Sequence, residues 1–313
     1  MSEPDSTTAT QRSSRELMLR AWRAKTTIPA FNIPYLPMMQ PVVAALRDTR
    51  CFGFIVVARL EWVKFRSGSL RAVRDEYQRV KDERFTRLHL DHVPVIDEDN
   101  LRVDYAADIG EALQLGYQSV MVDGSRLPLD QNIDAVRHVV EMAHPASVPV
   151  EAELGAIMGH EAGPLPPYEQ LFATGKGFTD SQEARRFVQE TNVDWLSVAV
   201  GSVHGAITNA ARTQKKVAAR LNIDQLDRIA DATHVPLVLH GGTGIEKSCV
   251  REAIAHGIAK INVATAIRQP YQAIMDQSVE KAQQAVYTET VRIVREELEI
   301  EGSADRINPS RSV

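Results

Sequence analysis

A single (β/α)8 barrel with a long loop after its fifth strand is the fold this sequence predicts, and three observations predict it. Short runs rich in Val, Ile and Leu alternate with stretches of helical spacing, eight times over, as a parallel sheet with helical crossovers requires. The chain of 313 residues has the length of one such barrel with insertions and can bury a full core. Polar side chains of the kind that perform chemistry gather at the C-terminal ends of the apolar runs, the rim on which active sites of this fold lie. An open doubly wound sheet would alternate as well, but it usually carries a G-x-G-x-x-G turn after its first strand, and Phe31-Asn32-Ile33-Pro34 holds none of those glycines.

In chain order, strands are expected at 27–31, 53–58, 87–91, 119–123, 148–154, 195–201, 236–240 and 259–263. Helical spacing and good helix formers fill 41–48, 70–83, 109–115, 131–142, 181–190, 223–232 and 246–255, and a last helix is expected over 271–298. Two segments break the alternation. Residues 155–177 contain Gly159, Gly163, Pro164, Pro166, Pro167, Gly175 and Gly177, which resist regular structure and suit a lid over the rim. Residues 206–221 form a basic, Ala-rich loop with Arg212, Lys215, Lys216 and Arg220, either a solvated face or a contact for an anionic substrate. The expected organisation is a flexible segment at 1–15, one barrel domain at 16–300 and a polar tail at 301–313.

A formal net charge of -5 with 25% charged residues leaves no cationic surplus for nucleic acid or an anionic membrane, so a small-molecule partner is expected. The two cysteines, Cys51 and Cys249, are far apart and outside any C-x-x-C, and both read as buried thiols rather than as a disulfide or a thiolate metal site. The first residues lack an apolar signal core, and no later run approaches the ~18 apolar residues of a membrane span. A cytoplasmic protein is the expectation.

The polar residues at the predicted strand ends are Asn32, Asp91, His92, Asp123, Glu153, His204, His240 and Asn262. A lone histidine is most often a hydrogen-bonded core or loop residue. His92, His204 and His240, closing strands three, six and seven on one rim, instead read as a metal centre, because three neutral imidazoles with an open position describe a catalytic zinc site. Co2+ or Fe2+ would suit the same ligands, whereas Mg2+ and Ca2+ prefer oxygen. Asp91 stands next to His92, placed for proton transfer or, alternatively, for orienting a histidine. His89 reads as a buried packing residue. Asp123 and Glu153 read as partners of the ligand imidazoles or as a second cation position, although Asp123 in Asp-Gly-Ser would also serve a simple turn. After strands seven and eight, His240-Gly241-Gly242-Thr243-Gly244 and Asn262-Val263-Ala264-Thr265 offer backbone N–H groups and a helix N-terminus to a phosphate, unless the glycines merely turn the chain.

Six stretches together carry a family resemblance: Leu88-His89-Leu90-Asp91-His92, Ser119-Val120-Met121-Val122-Asp123-Gly124-Ser125, Val150-Glu151-Ala152-Glu153-Leu154-Gly155, Val200-Gly201-Ser202-Val203-His204-Gly205, Leu239-His240-Gly241-Gly242-Thr243-Gly244 and Ile261-Asn262-Val263-Ala264-Thr265. In these the chain resembles the zinc-dependent class II aldolases that act on ketose bisphosphates, over about 30–268, and Gly302-Ser303-Ala304 resembles the family's tail. The resemblance implies that His92, His204 and His240 hold a catalytic Zn2+ and that Asp91 moves the proton of the hydroxyl at the bond being broken. It further implies an alternative metal position near Asp123 and Glu153, and a lid acid at Glu161 that moves a proton of dihydroxyacetone phosphate. The triose-phosphate end would be held by Gly205, by Gly241, Gly242 and Thr243, and by Asn262, Val263, Ala264 and Thr265, with a monovalent cation, Na+ or K+, nearby and Asn32 among the substrate-facing groups. A homodimer or homotetramer is implied as well.

Retro-aldol cleavage leaves negative charge on an enediolate, which a Lewis-acidic zinc stabilises, so Lys260, the one lysine in a predicted strand, is not needed as a Schiff base. The chain also departs from the family. Leu60 stands where a serine often helps hold the phosphorylated triose, Arg126 where histidine often follows Asp-Gly-Ser, Ala162 where a carboxylate commonly follows the lid glutamate, and Val93-Pro94 where a small residue follows Asp-His. These changes point to an unusual acceptor aldehyde or altered triose recognition. A non-catalytic aldolase-like subunit that stabilises a partner enzyme is the competing reading, and retained ligands oppose it. A zinc hydrolase of this fold would typically begin with His-x-His on strand one, where the chain has Ala30-Phe31-Asn32.

Overall fold

Eight parallel strands pair in sequence order, and β8 closes on β1, giving a barrel with no free edge. They are β1 Ile28–Asn32, β2 Gly53–Ala58, β3 Thr86–Pro94, β4 Val120–Asp123, β5 Val150–Leu154, β6 Trp195–Val198, β7 Leu237–Leu239 and β8 Ile258–Val263. The computed structural model describes residues 11–155, 168–202, 220–242 and 245–310. Every strand falls within a run expected from the sequence or overlaps it closely, and β1, β2, β5, β6, β7 and β8 are buried along their whole length, as strands covered on both faces must be.

The helices are α1 Ser14–Arg23, α2 Met39–Asp48, α3 Arg59–Val63, α4 Leu70–Val80, α5 Tyr105–Leu115, α6 Leu129–Ala143, α7 Tyr168–Thr174, α8 Ser181–Thr191, α9 Ile223–Thr233, α10 Lys247–Ala255, α11 Thr265–Ile274, α12 Val279–Arg292 and α13 Ala304–Ile307. Local chemistry sets their ends. Asp180 accepts hydrogen bonds from the Gln182 and Glu183 amides to start α8, and Asn222 accepts from Gln225 to start α9. The packing of the ring on the barrel is tight: a Cβ added at Gly53 would lie 2.9 Å from Leu46 Cδ1 on α2 and 3.1 Å from the Pro29 carbonyl on β1.

Five expectations are corrected. The long last helix is broken between α11 and α12, because Ser278 accepts from the Lys281 amide and starts a new helix, and α12 then loosens into a π turn over Ile293–Glu297. The N-terminal segment is helical from Ser14: Ser13 caps α1, Leu17, Met18 and Ala21 are buried, and Arg12 already donates to Asn308 Oδ1 at 3.0 Å. The tail beyond the barrel is part of the packed structure over 302–308. The Gly302 amide donates to the Thr49 carbonyl, the Ser303 hydroxyl accepts from the Phe52 amide, and Ile307 is buried. Part of the segment expected to resist regular structure forms α7. Cys51 is buried as expected, but Cys249 is only partly so, and both are free thiols.

One irregularity shapes the site. Along β3 and β4 the pairing runs Leu90 with Val120 and then Val93 with Val122, so β3 carries one residue more than its neighbour. This bulge covers Asp91 and His92 and re-aims their side chains. On a regular strand the two would face opposite sides. Here ligand atoms of Asp91, His92 and His240 lie within 4.8 Å of one another.

Candidate active site

Six strands, β1, β3, β4, β5, β7 and β8, contribute from their lengths or their ends to one polar centre at the C-terminal mouth of the barrel. Asp91 is buried, and its carboxylate accepts from Asn32 Nδ2 on β1 at 3.0 Å and from Asn262 Nδ2 on β8 at 3.0 Å to each oxygen. Burial alone would raise the Asp91 carboxyl, but the charges of His92, Lys260 and His240 hold it well below the ordinary carboxylate range. It is an ionised, clamped base.

His92 and His240 meet edge to face, with ring centroids 4.4 Å apart. His92 Nδ1 lies 3.2 Å from Asp123 Oδ2 at the end of β4 and 3.8 Å from Glu153 Oε2 on β5. His240 follows β7 directly, with Nδ1 3.0 Å from Glu153 Oε2 and Nε2 3.0 Å from Glu151 Oε1. Burial would lower the His92 imidazole, yet Asp91, Asp123 and Glu153 push it up to about 10. Burial and the neighbouring Asp123 raise Glu153. Asp123 faces His92 and also accepts from the amide and hydroxyl of Ser125.

The donor set fits a divalent cation. Two imidazoles crowd among Asp91, Asp123 and Glu153, and two groups, Asp91 with His92 and His240, and His92 with Asp123 and Glu153, each bring their donor atoms within 4.8 Å. Such a field is balanced either by protonating the imidazoles or by a bound metal that displaces those protons.

The expected phosphate turn and helix start are neighbours, because β7 and β8 pair with Leu239 opposite Ile261. Gly241 has a left-handed φ of +69, and a Cβ at Gly242 would lie 2.9 Å from Ile261 Cγ2, so both positions favour glycine. Ala264 precedes the first turn of α11, which begins at Thr265. His204, Gly205, Glu161, Ala162, Thr243 and most of the basic loop lie outside the described residues. Arg220, at that loop's end, bonds Glu169 Oε2 and stands over Phe172. Of the residues that depart from the family, Leu60 sits in the first turn of α3, and Arg126 Nη1 donates to the Asp97 carbonyl at 2.7 Å, tying the β4 rim to the loop after β3.

Sequence reasoning assigned no role to two buried carboxylates, Glu151 and Glu61, and did not foresee the partner of Lys260. Glu151 and Lys260 form an ion pair in the lumen at 2.8 Å. The spacing of Glu151 and Glu153 was a usable signal, since residues two apart on a strand share a face. Glu61, in the first turn of α3, accepts the Ala58 amide at 2.8 Å and is pushed up to about 8 by burial. His89 is the buried residue expected, but it bonds Ser119 Oγ at 2.9 Å instead of packing as an apolar ring.

A closed (β/α)8 barrel with a clamped carboxylate beside imidazoles at its C-terminal mouth defines an enzyme of acid–base chemistry with a metal-binding donor set. The family model described as "Fructose-bisphosphate aldolase class-II" matches residues 12–306. A curated relative, the D-tagatose-1,6-bisphosphate aldolase subunit GatY of Klebsiella oxytoca, is 33% identical over 258 residues, 82% of this chain and 82% of that protein. Among solved structures, the YdjI aldolase from Escherichia coli K12 matches with a TM-score of 0.71 at 24% identity, covering 94% of this chain and 99% of that one. Fructose-bisphosphate aldolase from Campylobacter jejuni matches with a TM-score of 0.68 at 16% identity, covering 93% and 96%. These two share the fold. The chain belongs to the class II fructose-bisphosphate aldolase family, and so is a carbon–carbon lyase acting by aldol cleavage on a phosphorylated ketose. No helix among the described residues is long and apolar enough to cross a membrane.

Proposed function

We propose that the protein cleaves its phosphorylated ketose reversibly to dihydroxyacetone phosphate, or a close analogue, and an aldehyde, with Zn2+ held by His92, His204 and His240. The observation that carries this reading is the Asp91 carboxylate, anchored by Asn32 and Asn262 within ligand distance of His92 and His240. When bound, the metal supplies Lewis-acid stabilisation of the negative charge that develops on the ketose carbonyl oxygen; Co2+ or Fe2+ would do the same.

The chain's own residues do the rest. Asp91 takes the proton from the hydroxyl on the carbon that becomes the aldehyde, and returns it in the direction of synthesis. Asn32 and Asn262 hold that carboxylate in place. Asp123 and Glu153 orient His92 and His240 and offer the alternative metal position. Glu161 moves the proton at the reacting carbon of the triose. Gly205, Gly241, Gly242, Thr243, Asn262, Val263, Ala264 and Thr265 receive the phosphate, with Na+ or K+ beside it. A cytoplasmic homodimer or homotetramer completes the reading, and light scattering would give the subunit number.

The periphery of the substrate site, in its aldehyde selectivity or its triose recognition, is where this chain departs. Leu60 replaces a hydroxyl with an apolar side chain, and Arg126 is tied into the rim through Asp97. Ketose 1,6-bisphosphates, the substrate type in the name of the Klebsiella protein, are the first to test. The deciding experiment is a panel of ketose mono- and bisphosphates and acidic analogues, read by coupled release of triose phosphate. Cleavage of at least one compound is expected, and no cleavage across the panel with metal-loaded protein would overturn the assignment.

A further inference from the structure

In the ring of strands, β3 and β4 stand opposite β7 and β8. With the triose phosphate at the turns after β7 and β8 and the breaking bond at Asp91 on β3, the aldehyde half of the ketose runs past Asp91 to the opposite rim. That rim is built from α3, the loop at 95–104 and the first turn of α5. It is acidic: from 91 to 108 the sequence carries Asp91, Asp97, Glu98, Asp99, Asp104 and Asp108, and Arg102 alone among lysines and arginines. The basic side chains that reach it are already engaged. Arg59 Nε donates to Asp108 Oδ2 at 3.2 Å, Lys64 Nζ lies 2.9 Å from both Glu98 Oε1 and Asp99 Oδ2, and Arg126 Nη1 donates to the Asp97 carbonyl at 2.7 Å.

Glu61 stands where this tail passes. It is buried in the first turn of α3, its Oε2 accepts the Ala58 amide at 2.8 Å, and Ala58 is the β2 residue that pairs with Asp91. Asn32, which clamps Asp91, also hydrogen-bonds the Glu61 carboxyl. A carboxyl group so placed matches a substrate hydroxyl, because in either protonation state it has an oxygen to accept with, and it offers positive charge in neither. A phosphate brought against Glu61, with Asp91 beside it and the cations of the rim engaged, would be a buried charge without compensation. The neighbouring Leu60 adds an apolar side chain and no donor.

We propose that the substrate carries a single phosphate, at its triose end, and that Glu61 is a specificity-determining residue that receives a hydroxyl of an uncharged aldehyde half. The proposal rests on the aldol cleavage proposed for this chain and narrows it to ketose 1-phosphates, which lack the far phosphate of the substrate type in the name of the Klebsiella protein. Cleavage then gives dihydroxyacetone phosphate and an unphosphorylated hydroxyaldehyde. The carbon–carbon bond beside Asp91 breaks, the hydroxyl proton passes to Asp91, and the electron pair stays on the triose.

The test runs full-length, metal-loaded protein in the direction of synthesis, with dihydroxyacetone phosphate and acceptor aldehydes that differ only in a terminal phosphate: glyceraldehyde against glyceraldehyde 3-phosphate, and erythrose against erythrose 4-phosphate. In both pairs kcat/KM is expected to be at least about tenfold higher for the unphosphorylated acceptor, the least that a buried, unpaired charge costs. A smaller preference, or the reverse, overturns the proposal. Glu61→Ala is expected to raise KM for glyceraldehyde about 3–10-fold, the worth of one hydrogen bond, and KM for dihydroxyacetone phosphate by less, while Glu61→Gln, which keeps an oxygen and a donor, stays near the parent. KM values that rise together in Glu61→Ala overturn the role given to Glu61. Should that variant not fold, the acceptor pairs and Glu61→Gln still decide. Exchange of the dihydroxyacetone phosphate protons with solvent, but no condensation with any acceptor, overturns this proposal alone. Neither exchange nor condensation overturns the aldol reading itself, which separates the two failures.

Discussion

The side-chain amide of Asn262 lies 3.0 Å from both carboxylate oxygens of Asp91, although 171 residues separate the two in the chain. β8 and β3 are not neighbours in the sheet, so this hydrogen bond crosses the mouth of the barrel. With Asn32 on the other side, it holds an ionised carboxylate at the edge of the metal-ligand cluster.

Asp91→Ala should lower turnover by about a hundredfold or more, the loss expected on removing a positioned acid–base group. Metal content by atomic absorption should stay near that of the parent. Loss of metal along with activity would instead make Asp91 a group that orients a ligand histidine.

Chelation followed by desalting should abolish cleavage, and added Zn2+ or Co2+ should restore it, because the Lewis acid carries the developing charge. Retained turnover in protein shown to be metal-free would refute a metal-dependent reaction.

Stability of the metal-free protein should fall at alkaline pH. His92 is raised from 6.5 to about 10 in the folded state, so its contribution is complete below about 6.5 and disappears as pH rises toward 10. Glu61, raised from 4.5 to about 8, acts in the same direction between those values. Thermal melts from pH 5 to 10 should show the decline, and Glu61→Gln should flatten its portion between about 4.5 and 8. An unchanged profile in that variant would mean that Glu61 is ionised in the fold.

At the acid end the sign reverses. Glu151 is lowered from 4.5 to about 2, so its contribution is present above about 4.5 and lost as pH falls toward 2. Glu151→Gln should make the metal-free protein less sensitive to acid over that range, as read by denaturant midpoints.

Gly53→Ala should cost about 1–3 kcal/mol, the usual penalty of overpacking. The new methyl would press on Leu46 and on the Pro29 carbonyl, and only the leucine can move aside. A midpoint in urea equal to the parent's would show that α2 shifts freely.

The alternation of strands and helices, and the rim that gathers Asp91, His92, Asp123, Glu153 and His240, were determined by the sequence alone. Both follow from local patterns: apolar periodicity decides which segments are strands, and strand direction decides which ends share a rim. The halt and restart around Ser278 and the docking of 302–308 were not legible, because a single cap and a surface for the tail compete weakly with helical spacing and polar composition. Tertiary structure alone decided that Asp91 and His92 face the same cavity, since the extra residue in β3 exists only relative to its pairing with β4. It also decided that Lys260 meets Glu151 and not a substrate. Barrel closure brings β8, β5 and the end of β7 around one lumen, and a buried ammonium there is stable only against the carboxylate that the closure supplies.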